Sequence, residues 1–252
     1  MKKKAFFFLF LSGGVALFFV FLFYPLIKYV WGENERYRIR TIVQKRSPQD
    51  TLKCAYLAEV LGLSSDRKSY LYRFNIKEGE KRLQENPLIK KAIIKKVKPH
   101  TLFVDYALRK PIAYVADFAN TAVDEAGVLF PFAPFYTPKN LPEVYFADAG
   151  ENQVWGRRIG EAKMRLVREI LELFPAHSLS WIDLSKSESE HLGEKEIIVG
   201  NKKHLLRLSK GAYKKEIGYY ALLNQLYLDS RKECCTIDFR LPDVAFIKFN
   251  AR

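Results

Sequence analysis

Residues 87–113, PLIKKAIIKKVKPHTLFVDYALRKPIA, narrow the possible folds more than any other stretch of this chain. Two runs rich in β-branched and aromatic residues, 88–97 and 101–108, are separated by only Lys98-Pro99-His100 and bounded by prolines. That pattern reads as two neighbouring strands of a hairpin. In the second run Leu102, Val104 and Tyr106 alternate with Phe103, Asp105 and Ala107, the period of two that suits a half-buried sheet. Immediately upstream, Asn75 stands three residues before Glu78, the spacing of a helix cap with an acid at the third helical position. The helix it opens should run to Asn86, where Pro87 stops it.

The preceding residues complete a small module. Residues 37–45 (YRIRTIVQK) are β-rich, with Ile39, Thr41 and Val43 able to share a face. Ser47 then reads as a helix cap, with Pro48 in the first turn and Asp50 near the positive end of the dipole. Leu52, Tyr56, Val60, Leu57 and Leu61 recur at helical spacing, and Gly62 closes that helix. The expected order over residues 37–110 is β-α-α-β-β.

Ahead of this module, Lys2, Lys3 and Lys4 precede residues 5–27, a run with no charged side chain. Crossing a hydrocarbon core of ~30 Å takes about 20 helical residues, so the run is long enough to span with some tilt. A signal peptide would carry a shorter apolar core and a small-residue cleavage site, and none stands out. The expectation is therefore an uncleaved transmembrane helix over 5–27, a cytoplasmic tail of residues 1–4, and the bulk of the chain outside the cytoplasm. Lys28, Arg36, Arg38 and Arg40 weaken the charge asymmetry across that run.

The chain of 252 residues carries 42 Lys and Arg against 28 Asp and Glu, a formal charge of +14. In an exported domain this excess points to anionic lipid headgroups or acidic envelope polymers and away from nucleic acid. Three cysteines make no disulfide framework. Cys54 reads as a small buried residue in the first helix, and Cys234 and Cys235 as strand neighbours facing opposite ways, an arrangement disulfide geometry disfavours. His100, His177, His191 and His204 are scattered without metal-ligand spacing, so neither a metal nor a cofactor is expected. Ser65-Asp66-Arg67-Lys68 matches the S-x-x-K string of penicillin-binding enzymes, but their S-x-N and K-T-G companions are missing. No catalytic role is assigned to any residue.

Beyond Lys110-Pro111 the pattern changes to short strands with two helices interposed. Residues 112–116 continue out of the module, and 121–130 form a hairpin whose turn rests on Asp124 and Gly127. Strands are expected at 142–146, 179–184, 196–199 and 204–208, with Gly200-Asn201 as a tight turn between the last two. Met164, Val167, Ile170, Leu171 and Phe174 mark an amphipathic helix stopped by Pro175. A second helix covers 213–228, with Ile217, Ala221, Leu222 and Leu226 facing inward. A last hairpin, 234–240 and 244–249, turns around Leu241-Pro242-Asp243.

On these residues the chain resembles the FtsQ/DivIB family of bacterial cell-division proteins, whose first extracytoplasmic unit is a POTRA domain. The family's POTRA hairpin pattern is matched by Pro87, Ile89, Ala92, Ile94, Lys96, Pro99, Leu102, Val104 and Tyr106. Its Arg-x-Pro-hydrophobic-Ala step is matched by Arg109, Pro111, Ile112 and Ala113. Its next hairpin is matched by Val123, Asp124, Gly127, Leu129 and Phe130, and its Ile-Asp-x-Arg strand by Ile237, Asp238 and Arg240. The chain departs from the family at Leu108, where a glutamate is usual, and at Leu241-Pro242, where an aromatic is common.

The resemblance implies an α+β chain: a single transmembrane helix at 5–27, a POTRA domain at 37–110, and a C-terminal mixed β-sheet domain with two helices at 111–252. It implies a scaffold in the inner membrane at the division site. That scaffold binds FtsB- and FtsL-like partners and acts through them on FtsW- and FtsI-like septal peptidoglycan synthases. The implied partner-binding residues are Arg240, Leu241, Val244, Ala245, Phe246, Ile247 and Lys248, an edge to which a partner can add a strand, with Arg240 meeting a partner acid. Lysines 90, 91, 95, 96 and 98 read as a solvated face. The rival readings are a membrane-anchored envelope enzyme, which needs a cleft lined by acids and aromatics, and a translocation component, which expects tandem POTRA modules.

Overall fold

The computed structural model describes residues 23–24, 33–45, 51–64, 66–147, 154–175, 178–189, 195–228 and 234–249. Among these residues no helix is long and apolar enough to cross a membrane. The transmembrane helix expected over 5–27 is corrected accordingly: only Phe23 and Tyr24 of that run are described, as two exposed helical residues. The rest of the run lies outside the described residues. What remains is an α+β chain that divides into two compact units, Met1–Leu108 and Arg109–Arg252.

The first unit is built on a three-stranded sheet in the order β1-β3-β2, where β1 is Thr41–Gln44, β2 Ile89–Val97 and β3 Thr101–Leu108. β1 runs parallel to β3 with Thr41 opposite Thr101, and β2 runs antiparallel with Val97 opposite Thr101. Leu102, Val104, Tyr106 and Leu108 are buried, as the alternation requires. Helix α1 is Cys54–Val60 and α2 is Ile76–Glu85. The Asn75 side chain accepts the Glu78 N–H at 3.4 Å, and α2 ends before Pro87. At Gly79 a Cβ would come within 2.9 Å of the Ile94 side chain and 2.8 Å of the Phe74 ring, so α2 lies close on β2.

Helix α1 starts later than the Ser47 cap predicts. Lys53 holds the cap position without a side-chain bond, and residues 46–50 lie outside the described residues. The Tyr106 hydroxyl accepts the Leu52 N–H at 2.7 Å and Gln44 Nε2 donates to the Leu52 carbonyl at 3.0 Å. These bonds tie Leu52 to the sheet in a non-helical conformation, and among the described residues the helix begins at Cys54. Cys54 is exposed rather than buried, with Gln44 Nε2 3.1 Å from its sulfur. Gly62 closes α1 at φ +69°, a left-handed position that suits glycine.

The second unit holds a nine-stranded mixed sheet in the order β12-β11-β10-β9-β8-β7-β4-β5-β6. Its strands are β4 Pro111–Val115, β5 Thr121–Asp124, β6 Leu129–Pro131, β7 Glu143–Tyr145, β8 Trp181–Asp183, β9 Glu196–Gly200, β10 His204–Ser209, β11 Cys235–Asp238 and β12 Phe246–Phe249. The pairs β4·β7, β7·β8 and β10·β11 are parallel and the rest antiparallel. Helices α3, Glu161–Leu173, and α4, Tyr213–Leu223, supply Met164, Val167, Ile170, Ile217 and Tyr220 to one core with Val144, Ile182, Val199, Leu206 and Ile237. The alternate residues of these strands, among them Tyr145, Trp181, Arg207, Asp238 and Phe246, are half-buried to exposed. At Gly200 a Cβ would lie 2.2 Å from the Trp181 indole, so the ring rests directly on the β9 backbone.

Three further expectations are corrected here. The β9–β10 turn lies at Lys202-Lys203, two residues later than Gly200-Asn201, because Gly200 pairs with Leu205 inside the ladder and the Asn201 N–H donates to the His204 carbonyl. Asn201 Oδ1 instead accepts the N–H groups of Lys203 and His204 at 2.8 and 2.7 Å, which closes the loop locally. In α4 the inward face is Tyr213, Glu216, Ile217 and Tyr220, and the helix passes into a π-helical turn at Asn224–Leu228. Ala221 is exposed, as are Leu222 (57%) and Leu226 (82%). Finally, the last strand begins at Phe246 rather than at 244, because Asp243 at φ +59° turns the chain just before it.

Candidate functional site

The two edges of the nine-stranded sheet are finished differently. On β6 every residue is buried, and the Leu129 N–H donates to the Arg157 carbonyl while the Gly156 N–H donates back to Leu129 O, at 2.9 and 2.8 Å. Segment 156–159 therefore covers that edge. β12 pairs with β11 on one side, with Phe246 opposite Asp238 and Phe249 opposite Cys235, and among the described residues no strand pairs with its other side. Ile247 and Phe249 pack against the core, while Phe246 (58% exposed) and Lys248 point away from it. A sheet edge of this kind is a template for a further strand.

The β2 edge of the smaller sheet is less available. On β2 the Ile94 N–H is taken by the Glu80 carboxylate of α2 at 2.8 Å, and Lys90, Lys91 and Lys95 are exposed along the strand. An occupied N–H and a row of lysines are two ordinary ways to discourage edge pairing.

Of the residues picked out by the sequence, Phe246, Ile247 and Lys248 lie on β12, whereas Arg240, Leu241, Val244 and Ala245 lie on the segment leading into it. Leu241, Val244 and Ala245 are exposed. Together with Pro242 they form one wall of a groove of roughly 450 Å³ whose other wall is α4, with Tyr219 and Leu223 as its apolar surface. Neither α4 residue was singled out from sequence. The spacing of Tyr213, Ile217 and Tyr220, read as the inward stripe, would have left Tyr219 facing outward and pointed to this wall.

Arg240 has partners within its own chain. Its Nε and Nη2 donate to the two Asp238 oxygens at 2.9 and 2.7 Å, a two-pronged pair, and Nη1 lies 3.2 Å from Glu196 Oε2. Glu196, 3% exposed, also accepts from Arg207 Nε and Nη2 at 3.0 and 2.6 Å and lies 3.3 Å from Lys186 Nζ. Burial alone would raise the Glu196 pKa, but hydrogen bonds from Arg207 and Lys186, with the charges of Arg207 and Arg240, hold it below the ordinary value. The Arg240 hydrogen bonds do the same for Asp238, and Asp238 in turn raises Arg240. The guanidinium thus fixes the segment that leads into β12, and it keeps about a quarter of its surface in solvent for a further acceptor. Glu196 and Arg207 escaped notice because their partners are 10 or more residues away in sequence.

No metal-binding cluster of His, Cys, Asp and Glu occurs among the described residues. Cys234 and Cys235 are unbridged, the first exposed and the second buried. Ser65 of the S-x-x-K string lies outside the described residues. No family model matches this sequence, and no curated protein matches it.

Proposed function

We propose that this chain is a division scaffold of the FtsQ/DivIB type that acts by binding rather than by catalysis. Its partners are FtsB- and FtsL-like proteins, one of which adds an extended segment to β12, and through them it acts on the septal peptidoglycan synthases. The observation that carries the reading is the bare β12 edge lying beside an exposed apolar groove. Backbone hydrogen bonds to β12 would supply affinity, and the alternation of Phe246 and Lys248 with Ile247 and Phe249 would set register. Leu241, Val244, Tyr219 and Leu223 would take apolar side chains of the helical part of the same partner.

The test is binding of the full chain, in neutral detergent, to the segments of its host's FtsB- and FtsL-like proteins. Wild type is expected to bind, and Phe246→Asp with Val244→Asp to weaken binding about 30-fold or more, the scale of losing an apolar anchor. Both substitutions are at exposed positions, so circular dichroism should show an unchanged fold. Unchanged affinity in the double variant would move the site off this edge, and absence of wild-type binding would remove the proposed partners.

A further inference from the structure

The two units share the charge unequally. Residues 1–108 hold 21 Lys and Arg against 9 Asp and Glu, and residues 109–252 hold 21 against 19. Within the first unit several cations already have acids: Lys68 pairs with Glu35 at 2.6 Å, Arg73 with Glu33 at 2.8 Å, and Arg82 with Glu78 at 3.2 Å. These pairs line or flank a groove of about 470 Å³ under the N-terminal end of α2.

A smaller pocket beside it, about 200 Å³, is different. Arg38, Arg40 and Arg67 line it together with Thr41, Ser64 and Ser69, and no acidic residue does. Among the described residues none of the three arginines lies within 4.0 Å of a carboxylate. The nearest influence is on Glu35, which is paired with Lys68 and whose pKa is lowered first by that lysine and also by the charge of Arg38. Asp66 is next to Arg67 in sequence but does not line the pocket, and its N–H donates to Ser64 Oγ at 3.2 Å, so the serine O–H remains a donor. The backbone here is fixed: Ile39 N–H donates to Ser69 O at 2.8 Å and Arg40 N–H to His100 O at 3.0 Å. The pocket floor is aliphatic, with Ile42 and Leu63.

Three like charges around one concavity repel each other. An anion with several acceptor oxygens removes that repulsion, and guanidinium forks match a phosphate face better than they match a single carboxylate. We propose that Arg38, Arg40 and Arg67 form a phosphate-binding site, for a phosphomonoester or phosphodiester group carried by a lipid headgroup or by a soluble molecule. This site lies in a different unit from β12 and does not depend on the scaffold reading.

The experiment follows the arginine Nε–H signals of the full chain, labelled with nitrogen-15, by nuclear magnetic resonance in neutral detergent micelles. One arm titrates inorganic phosphate and the other dopes the micelles with phosphatidylglycerol, with phosphatidylcholine as the uncharged comparison. Saturable shifts of the three arginine signals in either arm support the site, and the arm that produces them names the source. The variant Arg38→Gln/Arg40→Gln/Arg67→Gln should weaken binding by about tenfold or more, the scale of losing charge-assisted hydrogen bonds. The charge-matched Lys90→Gln/Lys91→Gln/Lys95→Gln variant should change it by less than about threefold, since screened surface lysines contribute little at a distance. Equal losses in the two variants would overturn the proposal in favour of diffuse attraction to a basic surface. Absence of a saturable shift in both arms would overturn it outright.

Discussion

At the β6 end of the large sheet, the edge strand is buried, a neighbouring segment hydrogen-bonds across it, and Arg109 and Asp124 meet at 2.8 Å with 14% and 5% of their side chains exposed. At the β12 end, Phe246, Leu241 and Val244 are at least half exposed, and the ions are shared among Glu196, Asp238, Arg207, Arg240 and Lys186. Both ends use an Asp–Arg pair, but for different purposes. Asp124 also accepts the Val128 N–H at 2.8 Å and its carbonyl accepts the Gly127 N–H, so a buried carboxylate locks a turn whose tip, Glu125 and Ala126, is exposed. Asp238 holds an arginine that itself remains partly wet. One end of the sheet is committed to closure, and the other keeps its edge available while its ions fix the approach to it.

The largest expected effect belongs to the closed end. Asp124→Ala removes the carboxylate that faces a mostly buried guanidinium and accepts the Val128 N–H, and should cost about 3–5 kcal/mol in chemical denaturation of the full chain. A loss below about 1 kcal/mol would mean that this pair does not hold the β6 end, and the contrast between the ends would fail.

Glu196→Gln should cost less, about 1–3 kcal/mol, because Arg207 and Arg240 keep Asp238 as an acceptor. Its signature lies in acid. Glu196 and Asp238 are held below their ordinary values, so their stabilisation is fully present above about pH 4.5 and is lost as pH falls through the folded values. The variant should therefore lose stability less steeply than wild type in urea denaturation between pH 5 and pH 3. The buried His204, whose pKa burial and Lys203 lower, weakens both proteins alike as pH falls below about 6.5, so it drops out of the difference. Parallel acid limbs would show that the shared ions do not act as a unit.

Phe246→Asp should have the smallest effect on stability, within about 0.5 kcal/mol, since the ring already faces solvent. Its melting temperature should match wild type while partner binding falls. A melting point several degrees lower would show that Phe246 supports the fold, and the open end would then resemble the closed one.

How far the sequence discloses this arrangement depends on the range of the forces involved. The hairpin around Lys98-Pro99-His100, the Asn75 cap and the Asp124–Gly127 turn are set by neighbours within a few residues, and the structure has them where periodicity and turn chemistry place them. The start of α1 is moved by Tyr106, a contact across 54 residues. The outward face of α4 is hidden because Leu222 and Leu226 read as core by hydropathy, although a tyrosine-lined stripe one position away is the one that packs. The position of β12 at the sheet edge is a matter of strand order, which no local pattern encodes. The ion cluster behind Arg240 joins residues from three separate strand regions and a loop, so Arg240 and its near neighbour Asp238 could be picked out while Glu196, Arg207 and Lys186 could not.

The parallel pairing of β10 with β11 has a kinetic consequence. Hairpins such as β2–β3 close over a few residues, but a parallel neighbour is reached only by a crossover, here through α4. Non-local closures of this kind tend to be slow steps of folding. β12 is placed by β11 alone and β11 by that crossover, and the groove beside β12 has α4 as its wall. The β12 edge therefore assembles late and as a unit. A chain whose α4 has not yet docked offers a partner neither the strand nor the groove, so engagement there would report that the second unit has finished folding.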